Sequence, residues 1–389
     1  MRIDRSCEVE WPGRATVGLS LLLSLGVAGH PAAAQQTGPV ACVADGLPFR
    51  EAVHAVHAEQ DNVGYAAAVM LRGELVESVV EGMADLEHQV PITPESRFGI
   101  ASVTKAFTGS AFMRLYEAGD VDLDAAVQRY VPEFPERARG VITPRQLLTH
   151  TSGLPHPQSV RTPELYSTHY DDVIDALEIF MDVPLLSEPG TRYSYSSSNY
   201  NLLAAVIQRA AGRRFQDFVA ETIIEPLGLS ETAFDDVRWV MPNRTRRYAY
   251  FDPWSYTSAD RLHRIPGRWD YSFNTGGGNI VSTAEDLVRF GQAFVAPGFF
   301  TEETLEFFYQ PLLLGDVSAW SFGWFATTDK AGRRRLHING ANPGLQAELR
   351  VYPDQELVVA VVANSWGHGA RSTEMVNTAR FAAQCMGWG

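Results

Sequence analysis

The chain has 389 residues, of which 45% are apolar and 20% charged, as is usual for a soluble globular protein. Acidic residues outnumber basic ones by 46 to 32, and the formal net charge of −14 argues against a nucleic acid as partner, because phosphate backbones attract basic surfaces. Among the basic residues only Lys105 and Lys330 are lysines. Arginine does not lose its proton in proteins, so a reaction that needs a neutral amine must use one of these two lysines.

The N-terminal segment has the pattern of an export signal. Arg14 precedes an apolar run over residues 15–29, and the three alanines at 32–34 are small enough for cleavage. We therefore interpret residues 1–34 as a signal peptide and expect a secreted or periplasmic protein without a stable membrane span after cleavage. An uncleaved membrane anchor is the alternative.

Signal cleavage would leave two of the three cysteines, Cys42 and Cys385, near opposite ends of the mature chain. An exported compartment permits disulfides. We expect Cys42 and Cys385 to pair and to tie the two termini together, and two separate buried thiols are the alternative.

Hydrophobic periodicity predicts strands near both ends of the chain and helices between them. In chain order the predicted elements are a helix within 46–60, a hairpin of strands 65–71 and 75–80, helices at 102–118, 143–148, 173–181 and 201–211, a helix opened by a capping box at 282–285, a second hairpin of strands 346–352 and 357–363, and a helix over 371–385. This order predicts an α/β protein of the α+β type, with one antiparallel sheet from the N- and C-terminal segments, flanking helices and an inserted, mostly helical region.

The first candidate for chemistry is Ser102-Val103-Thr104-Lys105. If Ser102 opens a helix, Lys105 lies one turn further on the same face, with its amine within reach of the hydroxyl. A serine hydroxyl is a poor nucleophile until a nearby group accepts its proton, and a lysine whose pKa is lowered by burial can do so. A helix cap followed by a solvated lysine is the alternative interpretation.

Two further segments carry candidate residues. The run from Tyr193 to Tyr200 offers tyrosine hydroxyls that could relay protons and small polar groups that could bind a substrate, although a turn and helix cap would explain the same composition. The run from Leu336 to Gly344 contains glycines that allow a ligand to approach the backbone, although a simple loop has them too. His150 fits a structural hydrogen-bonding role better than that of a catalytic base.

Together the three segments resemble the serine hydrolases related to class C β-lactamases, penicillin-binding DD-peptidases and the esterases built on the same fold. The resemblance covers about residues 45–385 in the same order. The amino-acid sequences of five further segments also resemble those of the family, at residues 97–108, 142–155, 225–229, 276–287 and 361–364.

The resemblance implies one hydrolase domain over residues 35–389, with an α/β lobe of about 45–118 and 280–389 and a helical lobe of about 119–279. It also implies an acyl-enzyme mechanism with no metal or organic cofactor. Ser102 would attack a carbonyl, Lys105 would help to take its proton, and Tyr195 would relay a proton to the leaving group. The backbone N–H of Ser102 and one from the third segment would stabilise the oxyanion.

The second segment departs from the family pattern. The asparagine of the family's Y-x-N motif falls on Ser197 if Tyr195 comes first, while a register that starts at Tyr193 is also open. Ser197-Ser198-Asn199 imitates the S-x-N motif of other β-lactamases. Ser197 and Asn199 are therefore both candidates for substrate binding.

The third segment departs further. Counting back from Pro343-Gly344 places Ile338-Asn339-Gly340 at the family's K-T-G or H-x-G motif, with Ile338 in the basic position. Counting from His337 instead requires a bulge before Gly344. The substrate-binding candidates of this segment are His337, Asn339, Gly340 and Ala341.

In both registers the cation that would meet a substrate carboxylate is in question, which disfavours β-lactams and peptides with a free C-terminus. We expect a hydrolase that cleaves an amide or ester, such as a D-amino-acid peptide, a small ester or a β-lactam. A class C-like β-lactamase is one alternative. A catalytically weak penicillin-binding protein that senses cell-wall peptides is the other.

Overall fold

An eight-stranded antiparallel sheet joins the N-terminal and C-terminal parts of the described chain. The computed structural model describes residues 43–44, 47–51, 53–54, 62–157, 164–252, 257–267, 269–312, 320–329 and 332–366. The predicted signal peptide, Cys42, Cys385, Lys330 and the predicted last helix all lie outside the described residues.

The strands that the structure describes are numbered in chain order. They are β1 Val43–Ala44, β2 Leu47–Pro48, β3 Gly64–Leu71, β4 Glu74–Asp85, β5 Val90–Pro91, β6 Phe98–Gly99, β7 Ala233–Phe234, β8 Tyr248–Asp252, β9 Thr257–Arg264, β10 Ile280–Ser282, β11 Trp320–Ser321, β12 Trp324–Thr328, β13 Arg334–Asn342, β14 Leu345–Tyr352, β15 Leu357–Ala363 and β16 Ser365–Trp366. The large sheet has the order β11-β12-β13-β14-β15-β3-β4-β5, so β15 and β3 pair the two ends of the chain.

The described helices lie mostly between the two groups of strands. The α-helices are α1 Thr104–Ala118, α2 Pro144–Leu148, α3 Ser197–Ala211, α4 Phe215–Val219, α5 Thr275–Gly278, α6 Ala284–Gln292 and α7 Glu302–Tyr309. Short 3₁₀ turns occur at Ala101–Val103, Val127–Arg129, Glu164–Tyr166, Asp175–Ile179, Ser272–Asn274 and Pro353–Gln355, and a π-helical turn at Ala220–Ile224.

Both predicted hairpins are confirmed. Arg72 and Gly73, with φ of +52° and +79°, form the tight turn between β3 and β4, and β14 pairs with β15 from Gln346 to Tyr352. The mixed architecture of helices and an antiparallel sheet confirms the predicted fold class. The boundaries of the two lobes stay a prediction.

Helix ends follow the capping signals with two differences. Helices α1 and α3 end at Gly119 and Gly212 as predicted. Helix α3 begins four residues earlier than predicted, because the Ser196 side chain accepts a hydrogen bond from the Ser198 N–H at 3.2 Å. The predicted capping box at 282–285 is wrong by one residue, because α6 is capped by Thr283, whose side chain accepts a hydrogen bond from the Asp286 N–H.

The largest difference from the sequence prediction is β13, which turns the third segment from a possible loop into a sheet strand. Its pairing with β14 is regular from Leu336 to Asn342, without a register shift. The bulge that the count from His337 requires is therefore absent from this stretch, and Ile338-Asn339-Gly340 is the register that the backbone supports.

Apolar side chains fill both faces of the sheet. One face packs against the helices, with Phe107 of α1 stacked on Phe290 of α6 at 3.9 Å between ring centroids. The other face packs against helical residues near Phe49 and Val53. Because both faces are buried, the central strands β3 and β15 are almost continuously apolar.

Candidate active site

Ser102 lies in the 3₁₀ turn that leads into α1, directly after a strained backbone position. Ala101 has φ +43°, in the left-handed region that residues with a Cβ rarely adopt. The turn is held at Ile100, whose N–H donates to β10 at 3.0 Å and whose carbonyl accepts from the Val103 N–H at 3.1 Å. Such strain persists only where the surroundings enforce it, and it places the half-buried Ser102 side chain at the junction of β6 and α1.

Lys105 of α1 points to the same side as Ser102, and its side chain is 0% exposed. Its Nζ lies 3.2 Å from Ser102 Oγ, 3.1 Å from Ser197 Oγ and 2.6 Å from the carbonyl oxygen of Gly277. These three partners are neutral oxygen atoms. Burial therefore dominates, and it lowers the pKa of Lys105 to about 7.

The same contacts orient a neutral amine. The Gly277 carbonyl can only accept, so one N–H must face it, at the shortest of the three distances. A hydroxyl group can donate as well as accept, so the Ser102 hydroxyl can direct its proton at the nitrogen lone pair. The arrangement suits Lys105 to receive the proton of Ser102.

Tyr195 contacts the same serine oxygen. Its O–H donates to Ser102 Oγ at 2.8 Å, and burial raises the pKa of Tyr195 to about 12, so the phenol stays protonated near neutral pH. The ring of Tyr193, the other tyrosine that the sequence left open, lies edge-on to His150 at 6.0 Å. Of the two tyrosines, the structure brings Tyr195 to Ser102.

His150 holds the segment that carries Tyr195. Its carbonyl accepts from the Ser194 N–H at 2.8 Å and its ring Nδ1 accepts from the Ser196 N–H at 3.3 Å, while the ring lies 4.4 Å from the Tyr195 ring. Burial, followed by the charge of Lys105, holds the pKa of His150 well below its usual value, so the ring is neutral. These contacts agree with the structural role that the sequence predicts for His150.

Strand β13 passes directly against the Ser102 backbone at Gly340. A Cβ on Gly340 would lie 2.1 Å from the Ile100 carbonyl oxygen and 2.8 Å from the Ser102 nitrogen, so only glycine fits. Strand β12 pairs with β13 only as far as His337. The third segment therefore runs next to the Ser102 N–H, where the oxyanion site is predicted.

The two substrate-binding candidates on α3 have different surroundings. Ser197 is buried with its hydroxyl on Lys105, as described above. Asn199 is fully buried and contacts the ring Nδ1 of His150 at 2.9 Å and the hydroxyl of Ser152. Ser197 thus belongs to the Ser102 cluster, and Asn199 to the group that supports Tyr195.

The candidates on β13 lie on both faces of the strand. Side chains alternate along a strand, so His337, Asn339 and Ala341 share the face opposite to Gly340. The His337 ring stacks on Phe325 at 5.1 Å, and burial lowers its pKa to about 3. Asn339 is half-buried and Ala341 is exposed. Substrate binding by these three residues stays a prediction.

Sequence reasoning missed two contributions to the site. The Gly277 carbonyl of the short helix α5 accepts a hydrogen bond from Lys105. The Trp320 ring lies 5.5 Å from the Tyr195 ring, and its Nε1 donates to the Leu148 carbonyl at 2.9 Å. Neither contribution could be predicted from the sequence, because a backbone carbonyl and an aromatic ring from a distant segment produce no local residue pattern.

Comparison with known proteins identifies the family. A family model described as beta-lactamase matches residues 49–383, which is most of the chain. The chain belongs to the beta-lactamase family. The resemblance that the sequence motifs indicate is thereby confirmed.

Relatives in this family include proteins from distant organisms. The chain is 25% identical to the mitochondrial serine beta-lactamase-like protein LACTB of Homo sapiens, over 84% of this chain and 78% of that protein. It is 29% identical to penicillin-binding protein 4* of Bacillus subtilis, over 73% of this chain and 64% of that protein.

Solved structures of similar fold have about one fifth identical residues. A penicillin-binding protein from Bacillus halodurans has a TM-score of 0.71 at 22% identity, covering 84% of this chain and 98% of that one. A D-stereospecific amidohydrolase from Streptomyces sp. has a TM-score of 0.72 at 21% identity, covering 85% and 98%. EstCE1, a hydrolase with promiscuous acyltransferase activity, has a TM-score of 0.73 at 21% identity, covering 86% and 97%.

The described ranges contain neither a metal-binding cluster nor a membrane-spanning helix. No group of three or more His, Cys, Asp and Glu side chains in them is placed to hold a metal ion. No helix in them combines the length and the apolar character that crossing a bilayer requires.

The pH dependence of Ser102 acylation tests the state of Lys105. Protonation removes the lone pair that would take the serine proton, so the acylation rate should rise with pH with a midpoint near the Lys105 pKa of about 7. Stopped-flow acylation by a p-nitrophenyl ester measures it. A rate that rises only near the ordinary lysine pKa of about 10.4 would contradict this assignment.

Substitution of His150 tests whether this residue positions Tyr195. His150→Leu removes the ring acceptor, so Tyr195 should shift and hydrolysis should fall by roughly 100-fold for an ester with a poor leaving group. The loss should be smaller for a p-nitrophenyl ester, whose leaving group needs little protonation. His150→Asn keeps a side-chain acceptor and tolerates the positive φ of +56°, so it should retain most activity. Equal losses for both leaving groups in correctly folded His150→Leu would contradict a role through Tyr195.

Proposed function

We propose that the protein is a serine hydrolase that cleaves an ester or amide bond through an acyl-Ser102 intermediate. One observation carries the proposal: Ser102 Oγ lies 3.2 Å from the buried amine of Lys105 and 2.8 Å from the protonated phenol of Tyr195. A hydroxyl between a proton acceptor and a proton donor is the arrangement that acyl transfer needs.

The contacts support the following order of reaction steps. As Ser102 Oγ forms a bond to the substrate carbonyl carbon, its proton passes to Lys105 Nζ, and the N–H of Ser102 with one from β13 stabilises the oxyanion. The bond to the leaving group then breaks while Tyr195 gives its proton to the departing oxygen or nitrogen. The proton held by Lys105 returns to Tyr195, and water releases the acyl group by the reverse proton movements.

Within this reaction class we favour substrates whose leaving group carries no carboxylate. In the register that β13 supports, Ile338 stands at the basic position of the third motif, and its side chain is fully buried. An apolar side chain there offers a leaving-group carboxylate no charge partner. The comparisons are compatible with this choice, because structures of similar fold include proteins named as an amidohydrolase and as a hydrolase with promiscuous acyltransferase activity.

Export to the periplasm or the cell exterior is also part of the proposal. It rests on the apolar run after Arg14 and the alanines before residue 35, which lie outside the described residues. The relatives do not carry this part of the proposal, since the name of the human relative places that protein in mitochondria.

Matched lysine substitutions test the mechanism. Lys105→Arg places a permanently protonated guanidinium where the amine was, and it cannot accept a proton, so acylation of Ser102 should be abolished, as in Ser102→Ala. Lys330→Arg makes the same chemical change at the second lysine and should leave acylation unchanged. Intact-mass measurement after reaction with a fluorophosphonate and p-nitrophenyl ester hydrolysis report both steps.

Three results would contradict the proposal: acylation of Lys105→Arg at the wild-type rate, labelling at a residue other than Ser102, or full esterase activity in Ser102→Ala. Fluorescent penicillin distinguishes the alternatives. Stable labelling without turnover of any ester would favour the penicillin-binding sensor, and fast hydrolysis of nitrocefin would favour a β-lactamase.

A further inference from the structure

Side chains of α1, the helix that carries Lys105, are hydrogen-bonded to the glycine-rich segment 276–280. These bonds run from the Ile280 N–H to Thr104 Oγ1 at 3.2 Å, from Lys105 Nζ to the Gly277 carbonyl at 2.6 Å, and from Thr108 Oγ1 to the Gly276 carbonyl at 2.7 Å. The segment that supplies an acceptor to Lys105 is thus itself bound to the same helix.

The Thr108 hydroxyl lies within reach of two carbonyl oxygens. The Gly276 oxygen is 2.7 Å away, and the oxygen of Thr104, one turn earlier in α1, is 3.3 Å away. A hydroxyl has one proton to donate, so the shorter contact takes it. Thr108 is only 1% exposed, and burial excludes water that would compete for this bond. The hydroxyl therefore binds α5 rather than its own helix.

Helix α5 also packs closely on α3. A Cβ on Gly276 would lie 2.2 Å from the Tyr200 carbonyl oxygen, and a Cβ on Gly277 would lie 3.1 Å from Ser197 Cβ. Glycine is needed for this approach, because it has no side chain to fill the space. Steric contact with α3 and hydrogen bonds from α1 together fix the position of α5.

Thr108 and Lys105 bind consecutive carbonyl groups. Residues three apart in a helix lie on the same face, and the Gly276 carbonyl belongs to the peptide bond directly before Gly277. The bond to Gly277 is the shortest of the three that Lys105 Nζ makes, so it has the largest effect on where the other hydrogens and the lone pair point. A shift of α5 would therefore turn the amine relative to Ser102.

We propose that Thr108 is a positioning residue for the Ser102 reaction: its hydroxyl fixes α5 so that the Gly277 carbonyl orients the Lys105 amine toward Ser102. The inference rests on the proposed function, because Thr108 acts through the proposed proton acceptor. Displacement of a reacting group by about 1 Å can lower a rate about 100-fold, so a hydroxyl that acts through a neighbouring carbonyl can matter for the rate.

The pH profile of acylation reports the state of Lys105. The titratable side chains that face Lys105, among the described residues, belong to Tyr195, Tyr200, His150 and His156. The two tyrosine rings lie 5.1 and 5.8 Å from Nζ, and burial raises the pKa of both, so they stay protonated. Burial, followed by the charge of Lys105, lowers the pKa of His150 well below its usual value and that of His156 to about 4. A midpoint near pH 7 therefore belongs to Lys105.

Thr108→Val tests the inference, because it removes the hydroxyl and keeps the branched shape. Helix α5 should shift, and the rate constant for acylation by p-nitrophenyl acetate should fall roughly 10- to 100-fold. The midpoint of the pH profile should fall below about 7, because an ammonium ion loses more than a neutral amine when an acceptor is withdrawn. Stopped-flow measurement of the p-nitrophenol burst gives the rate constant, and the burst amplitude, which counts competent sites, should stay unchanged.

Three further variants complete the test. Thr108→Ser keeps the donor and should retain most of the rate and the midpoint. Thr108→Ala removes the same hydroxyl, so it should reproduce both changes and replaces Thr108→Val if that variant does not fold. Ser110→Ala removes another hydroxyl of α1 that is 0% exposed and has no hydrogen-bond partner in the described part of the chain. It should change neither the rate constant nor the midpoint.

Several outcomes would refute this inference alone, provided that the wild type is acylated at Ser102. They are an unchanged rate constant in folded Thr108→Val or Thr108→Ala, a midpoint that stays near 7 or rises, an equal loss in Thr108→Ser, and a loss of burst amplitude at an unchanged rate constant, which would indicate a purely structural role. A wild type that is not acylated at Ser102 would refute the proposed function and the inference with it.

Discussion

The site depends on the burial of one lysine amine among neutral oxygens. Water would hold Lys105 as an ammonium ion, whereas a buried position whose hydrogen-bond partners are two hydroxyls and a carbonyl favours the neutral form. The pKa of about 7 follows from that environment. It converts a residue that is usually a surface cation into a base of suitable strength.

The surrounding fold creates this environment from segments far apart in the chain. Helix α1 supplies Lys105, α3 supplies Ser197, and α5 supplies the Gly277 carbonyl, while Thr108 of α1 donates to the neighbouring Gly276 carbonyl at 2.7 Å. These helices pack against each other and exclude water from the amine. The sheet contributes β13, whose Gly340 lies against the Ser102 backbone.

Backbone strain is found at two positions that place reactive groups. Ala101 and His150 both have positive φ without being glycine. Ala101 directly precedes Ser102, and His150 bonds to the residues on both sides of Tyr195. Strain at such positions is retained where it orients functional groups, and here it fixes the donor and the nucleophile relative to each other.

Local patterns in the sequence were sufficient for some of these features. The apolar runs of β3 and β15, the alternating pattern of β14 and the glycine stops of α1 and α3 are local signals, and they predicted the central hairpins, α1 and most of α3. The spacing of Ser102 and Lys105 follows from one helical turn.

Long-range packing decided the rest. Whether Tyr193 or Tyr195 meets Ser102 depends on how His150 holds the loop, and the strand character of β13 depends on pairing with β14 rather than on its own composition. The hydrogen bond between Lys105 and the Gly277 carbonyl is a tertiary contact between distant segments. None of these has a signature at short sequence spacing.

Direct titration of the lysines tests the central claim, a neutral amine at Lys105, most directly. Since the chain has only two lysines, carbon-13 labelling at lysine Cε gives a simple spectrum, and Lys105→Arg assigns it. We expect the Lys105 resonance to titrate with a midpoint of about 7 in the folded protein. Titration of both resonances only near the ordinary lysine pKa of about 10.4 would contradict it.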